Sequence, residues 1–122
     1  MKKIVLNYME DKNLFDETAN TWAREICGSG RDCRVKSTQL RNFYDKVMDL
    51  LDQVEKEKKP FEEVLPFVKM LNSKVAYART RGHVSNEFVE MMNQCIAQVD
   101  SEKSLKTFKL FFEAVIGFYP KK

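Results

Sequence analysis

Ser37-Thr38-Gln39-Leu40-Arg41-Asn42-Phe43-Tyr44 opens the first long, strongly patterned helix of the chain. Leu40, Phe43, Tyr44, Val47, Met48, Leu51 and Val54 recur at three- and four-residue steps, which places them on one apolar face. A hydroxyl from Ser37 or Thr38 is expected to cap the first turn. Arg41 stands about 100° from Leu40, at the edge of the apolar face and close to Lys36. A ligand of this chain is expected to bind near this stretch.

The same periodicity extends in both directions. Upstream, Phe15, Ala19, Trp22, Ala23 and Ile26 share a face, and Gly28-Ser29-Gly30 ends that helix. Residues 1–11 show no clear period and read as a loose N-terminal arm. Downstream, Glu55-Lys56-Glu57-Lys58-Lys59 fades into Pro60. Pro60 and Pro66 are expected to frame a short turn of helix, with Pro66 in the first turn of the third long helix. There Phe67, Leu71, Val75 and Ala78 are predicted to face inward. Ser85 is expected to cap a fourth helix (Phe88, Met91, Met92, Cys95, Ile96, Val99) and Ser101 a fifth (Leu105, Phe108, Phe112, Val115, Ile116, Tyr119). Phe111 and Phe118 give the fifth helix a second apolar stripe, which reads as central burial ahead of an interface. With hardly a strand pattern beyond Ile4-Val5-Leu6, the fold class is all-α, a compact bundle of about five helices.

At 122 residues the chain has the size of one domain, read as 1–122. Three Pro and four Gly are too few for a disordered or many-turned all-β chain. The net charge of +3 does not by itself imply nucleic acid. Its distribution is more informative. Residues 31–41 carry Arg31, Arg34, Lys36 and Arg41 against Asp32. Residues 69–83 carry Lys69, Lys74, Arg79, Arg81 and His83 with no acid. An acidic helix separates these two positive patches. Met1-Lys2-Lys3-Ile4-Val5-Leu6-Asn7 has too short an apolar run for a signal peptide, and no run approaches a membrane span. No membrane partner is expected, and the chain reads as cytoplasmic. Cys27, Cys33 and Cys95 are odd in number without paired spacing, which argues against a disulfide framework.

Catalysis finds little support. His83 is the one histidine. Cys27, Cys33 and His83 lack a fourth ligand and the short spacing of a zinc site. Cys95 lies on an apolar face, and no local signature pairs a cysteine with His83. Asp49, Asp52, Glu62 and Glu63 read as solvated. Gly28-Ser29-Gly30 matches no phosphate loop. No enzyme, metal or cofactor is expected.

The third helix offers more. Met70, Lys74, Tyr77 and Arg81 fall on one stripe offset from the core face, with Lys69 and Arg79 on other sides. Such a stripe offers charge for phosphates and a flat ring for a base, or is the solvated edge of a bundle. Arg41 likewise reads as an ion pair with Asp45 or as an anion contact near a helix N-terminus. Arg31 and Arg34 would extend its patch.

Three segments together resemble a known family. Lys36-Ser37-Thr38-Gln39-Leu40-Arg41-Asn42 is similar to the signature of the small helical subunit of type III-A CRISPR effector (Csm) complexes. The segment Lys69 to Arg79, with Arg81, resembles that family's basic, aromatic-containing third helix. Leu105, Phe108, Phe111 to Val115 and Phe118-Tyr119 resemble its closing helix. The resemblance spans residues 36–119. It implies a non-catalytic subunit of antiviral defence that contacts guide RNA and target RNA through their backbones. It also implies packing against other subunits of the complex and further copies of itself. Lys36, Arg41, Lys69, Lys74, Arg79 and Arg81 carry over as backbone contacts. Tyr77 lies in a matched segment with either an RNA-binding or a structural role. The alternative is a helical protein-interaction or adaptor module that binds no nucleic acid.

Overall fold

Helix positions α1 (Ala19–Cys27), α2 (Ser37–Glu55), α3 (Phe61–Thr80), α4 (Asn86–Gln98) and α5 (Glu102–Phe118) follow from the apolar spacing and from local start signals. A π-helical turn, Leu14–Thr18, leads into α1. The computed structural model describes residues 3–121 and is all-helical, with no strand among the described residues. Ser85 starts α4 by accepting the Phe88 N–H at 3.2 Å. Ser101 starts α5 in a reciprocal capping box with Ser104.

α5 is the central element. Leu105, Phe108, Phe111, Phe112 and Val115 are all fully buried, and the helix packs against α1, α2 and α4. Each such side chain contributes about 1.5–3 kcal/mol by leaving water. Phe112 gathers rings from three helices: Tyr44 at 5.8 Å, Phe88 at 6.2 Å and Phe108 at 6.2 Å between centroids. Phe88 in turn meets Phe43 at 5.3 Å. α3 completes the bundle by packing against α4 and α2. Phe118, at the end of the second stripe on α5, is exposed.

Five sequence expectations are corrected. First, α2 carries no side-chain cap: Lys36 is its N-cap residue, and Ser37 already belongs to the helix. Second, no break separates Pro60 from Pro66. α3 begins at Phe61 with Glu62 and Glu63 in its first turn, and Pro66 lies inside it. Pro66 lacks an N–H to give to the Glu62 carbonyl. Third, the buried face of α3 is therefore Val64, Val68, Leu71, Val75 and Ala78, while Phe67 is 52% exposed.

Fourth, the N-terminal segment is docked rather than loose. Ile4 and Leu6 are buried. The Ile4 N–H donates to Gln94 Oε1 at 2.7 Å and the Leu6 N–H to Gln98 Oε1 at 2.9 Å. Gln98 Nε2 returns a bond to the Ile4 carbonyl at 2.7 Å. Two glutamines of α4 thus supply partners to an extended backbone. The Met1-Lys2 part of the arm lies outside the described residues. Fifth, Cys27 and Cys33 form a disulfide, the turn after α1 bringing their Cα atoms to 4.3 Å.

Candidate nucleic-acid interface

The loop between α1 and α2 is built to hold the start of α2. Gly28 leaves α1 with φ +85°, a region where a side chain is strained. The Arg34 N–H then donates to the Cys27 carbonyl at 2.9 Å. The Arg34 side chain runs over Gly28, where an added Cβ would meet its Nε at 2.6 Å. It ends in an ion pair with Glu87 of α4 at 3.0 Å. Val35 is fully buried, and its carbonyl accepts the Tyr119 hydroxyl at 2.5 Å. Burial pushes the Tyr119 phenol up, so this donor stays protonated. These contacts deliver Lys36 to the mouth of a cleft.

That cleft, about 1000 Å³, lies between the start of α2 and the end of α5. Lys36, Arg41, Asn42, Tyr119 and Lys121 are among its walls. The uncapped first turn of α2 adds the positive end of a 19-residue helix. Arg41 does not pair with Asp45 in any ion pair among the described residues. Its guanidinium instead lies 5.7 Å from the centre of the Tyr44 ring. Tyr44 is fixed by donating its hydroxyl to Glu113 at 2.9 Å, and Glu113 pairs with Lys109 at 2.8 Å. The Lys109 ammonium, helped by the Tyr44 hydroxyl, holds the Glu113 carboxyl below the ordinary range. Lys109 is raised in return by that hydrogen bond. The ring under Arg41 is therefore anchored from its far end.

A second groove, about 740 Å³, runs between α2 and α3. Lys74, Tyr77 and His83 form one wall, and Asp45, Lys46 and Asp49 the other. Asn42 lines both the cleft and the groove, while Arg41 stands in the wall of the cleft and Lys74 in that of the groove. Tyr77 is 63% exposed. Arg81 Nη1 donates to its hydroxyl at 3.1 Å.

Lys69, Arg79 and Arg34 have other employment. Lys69 donates to the Ile96 carbonyl in the last turn of α4 at 3.1 Å, where a cation meets the negative helix end. Arg79 Nε bonds Asn86 at the start of α4. Arg34 is held by Glu87, and Arg31 is exposed in the loop outside both clefts. Of the predicted residues, Lys36 and Arg41 share the cleft, and Lys74 and Tyr77 share the groove, with Arg81 bonded to Tyr77. Lys69, Arg79, Arg34 and Arg31 do not join them. Asn42, Asp45, Asp49 and Tyr119 were not anticipated as lining residues. Asn42 follows Arg41 directly, but only the crossing of α2 and α3 gives it two surfaces.

Cys33 is in the disulfide, and Cys95 is fully buried with its thiol pushed up by burial, the mark of an inert core thiol. Among the described residues no group of three or more His, Cys, Asp or Glu side chains could hold a metal ion. No helix among them is long and apolar enough to cross a membrane.

The family model described as Csm2 Type III-A matches residues 9–121. The chain belongs to the Csm2 family. It is a small subunit of the type III-A CRISPR effector complex, a non-catalytic, structural family that associates with the other Csm subunits. The match includes the loop, both clefts and all of α1 to α5. No curated protein and no solved structure matches the chain.

Proposed function

We propose that this subunit binds the guide and target RNA backbone without reading sequence, through Lys36, Arg41 and Lys74, with Arg81 beside them. The supporting observation is that Lys36 and Arg41 share one cleft, Lys74 lines the neighbouring groove, and Asn42 lines both. The side chains of Lys36 and Lys74 have no hydrogen-bond or ion-pair partner among the described residues, so they can meet phosphates without breaking a native contact. RNA-guided complexes leave sequence to base pairing and let the protein read backbone and shape. Several weakly binding copies along one duplex gain avidity, so a modest charge per copy is sufficient.

In the same proposal, the exposed Phe67 (52%) and Met70 (48%) pack against other subunits or further copies of this chain. Two large apolar side chains one turn apart suit a protein contact. The setting proposed is cytoplasmic. The test is titration of labelled RNA into the full chain over a range of salt. Weak affinity that falls as salt rises and is equal for unrelated sequences is expected. Salt-independent affinity, or preference for one sequence, would overturn the proposal.

A further inference from the structure

The α2–α3 groove has a charge pattern that a phosphate backbone alone does not fit. Asp45 and Asp49 line its α2 wall together with Lys46, with Asp49 accepting Gln53 Nε2 at 3.0 Å. A strand laid phosphate-first against this wall would meet two carboxylates beside a single lysine. Cations stand along its α3 wall and past its end: Lys74 three residues before Tyr77, and Arg81 four residues after it. On a helix these three share one side.

Tyr77 supplies what the groove lacks. Tyr77 as a residue is 63% exposed, although a tyrosine costs free energy to leave in water. Arg81 covers only part of it: the guanidinium carbon stands over the ring at cation–π range, 5.5 Å from its centre, and most of the residue still faces solvent. Its Nη1 is engaged with the hydroxyl, which places the arginine toward the ring's outer end. Tyr77 is thus held by its hydroxyl and largely exposed, and two carboxylates, Asp45 and Asp49, stand with Lys46 in the opposite wall. An aromatic face between cations is the arrangement that stacks unpaired bases. A carboxylate is the acceptor that suits a base's amino group.

We infer that Tyr77 is a stacking platform for an unpaired nucleobase, taken base-inward into the α2–α3 groove with its phosphates outward on Lys74 and Arg81. This deepens the RNA-backbone reading and rests on it. The ligand is an RNA strand with at least one base out of the duplex, and the Asp45–Asp49 wall favours bases that carry amino groups.

The test uses the full chain with a single-stranded RNA carrying one 2-aminopurine, and the same RNA annealed into a continuous duplex. Quenching of 2-aminopurine by the protein is expected for the single strand and not for the duplex. Tyr77→Phe keeps the quench. Tyr77→Ala abolishes it and weakens single-strand binding by about 5- to 150-fold, with the salt slope unchanged. Lys74→Ala lowers the slope and leaves the quench visible at saturating protein. Circular dichroism checks that each variant is folded. If Tyr77→Ala matches wild type in quench and affinity while Lys74→Ala loses binding, the stacking inference falls and the backbone reading stands. If neither RNA binds at any salt, both fall. If Tyr77→Ala leaves RNA binding intact but blocks copurification with other Csm subunits, the ring is a protein contact and the inference is overturned.

Discussion

The two flanks of α3 carry the same residue types and have opposite fates. On the α4 flank, Lys69 reaches the Ile96 carbonyl and Arg79 reaches Asn86. On the α2 flank, Lys74 has no side-chain partner among the described residues, and Arg81 bonds only the neighbouring Tyr77. Between them lies the buried face of Val64, Val68, Leu71, Val75 and Ala78. A cation beside a helix terminus is drawn into the protein's own hydrogen bonding. A cation beside a groove is left for something else. Charge counted along the sequence does not separate the two cases; the neighbouring helix does.

The difference can be broken most severely from the middle. Leu71→Ala removes a nearly fully buried side chain from the face both flanks depend on. It is expected to cost about 2–5 kcal/mol. At about 4 °C per kcal/mol, Tm falls by roughly 8–20 °C, read by thermal melts. A smaller effect belongs to the α4 flank. Lys69→Ala should lower stability by about 0.3–1 kcal/mol, since it uncovers the C-terminal end of α4, and denaturant midpoints would register it. Lys74→Ala should stay within about 0.5 kcal/mol of wild type in the same assay, as exposed unpartnered positions do. Equal losses at the two lysines would erase the distinction between the flanks.

The smallest effect sharpens the same idea on α2 and α5. Glu113 is held below the ordinary carboxylate range, first by Lys109 and then by the Tyr44 hydroxyl. A depressed folded pKa contributes stability above the unfolded value of about 4.3 and loses it as pH falls through the folded value. Lys109 is raised, so its share is complete below its unfolded value and is lost as pH rises through the folded one. Glu113→Gln should therefore be slightly less stable than wild type near neutral pH. The gap should close as pH falls below the unfolded carboxylate value and through the lower folded one. Paired urea midpoints across pH read it.

Much of this was legible in the residues. The faces of α1, α4 and α5 follow the three- and four-residue spacing of Trp22, Ile26, Phe88, Met92, Phe108 and Phe112, because burial in a bundle demands that period. Ser85 and Ser101 marked their helices correctly because a hydroxyl at an N-cap has one local job. Apart from the hydroxyl cap expected on α2, which is absent, failures came mostly where a more distant partner decides. Pro66 reads as a helix start, yet α3 continues through it, and Val64 rather than Phe67 takes the first core position. Ile4 and Leu6 look unpatterned because their partners, Gln94 and Gln98, are about ninety residues away. The odd cysteine count concealed the Cys27–Cys33 pair, which the Gly28 turn makes possible. For the site, the stripe Met70–Lys74–Tyr77–Arg81 was readable from helical spacing. The removal of Lys69, Arg79 and Arg34 into structural roles was not, since Ile96 and Glu87 are distant in sequence and Asn86, seven residues from Arg79, meets it only across the α3–α4 turn.

The central claim is that RNA meets the α2 side of α3 and the start of α2, and not the α4 side. Anisotropy titration of one labelled RNA from about 50 to 200 mM salt tests it directly. The Arg41→Ala/Lys74→Ala and Lys69→Ala/Arg79→Ala pairs are compared with wild type. The first pair removes two cations that neutralise phosphates, so its slope of log affinity against log salt should shrink by about 1.4–1.8. The second pair should keep the wild-type slope. An unchanged slope in the first pair, or an equal reduction in both, would contradict the account.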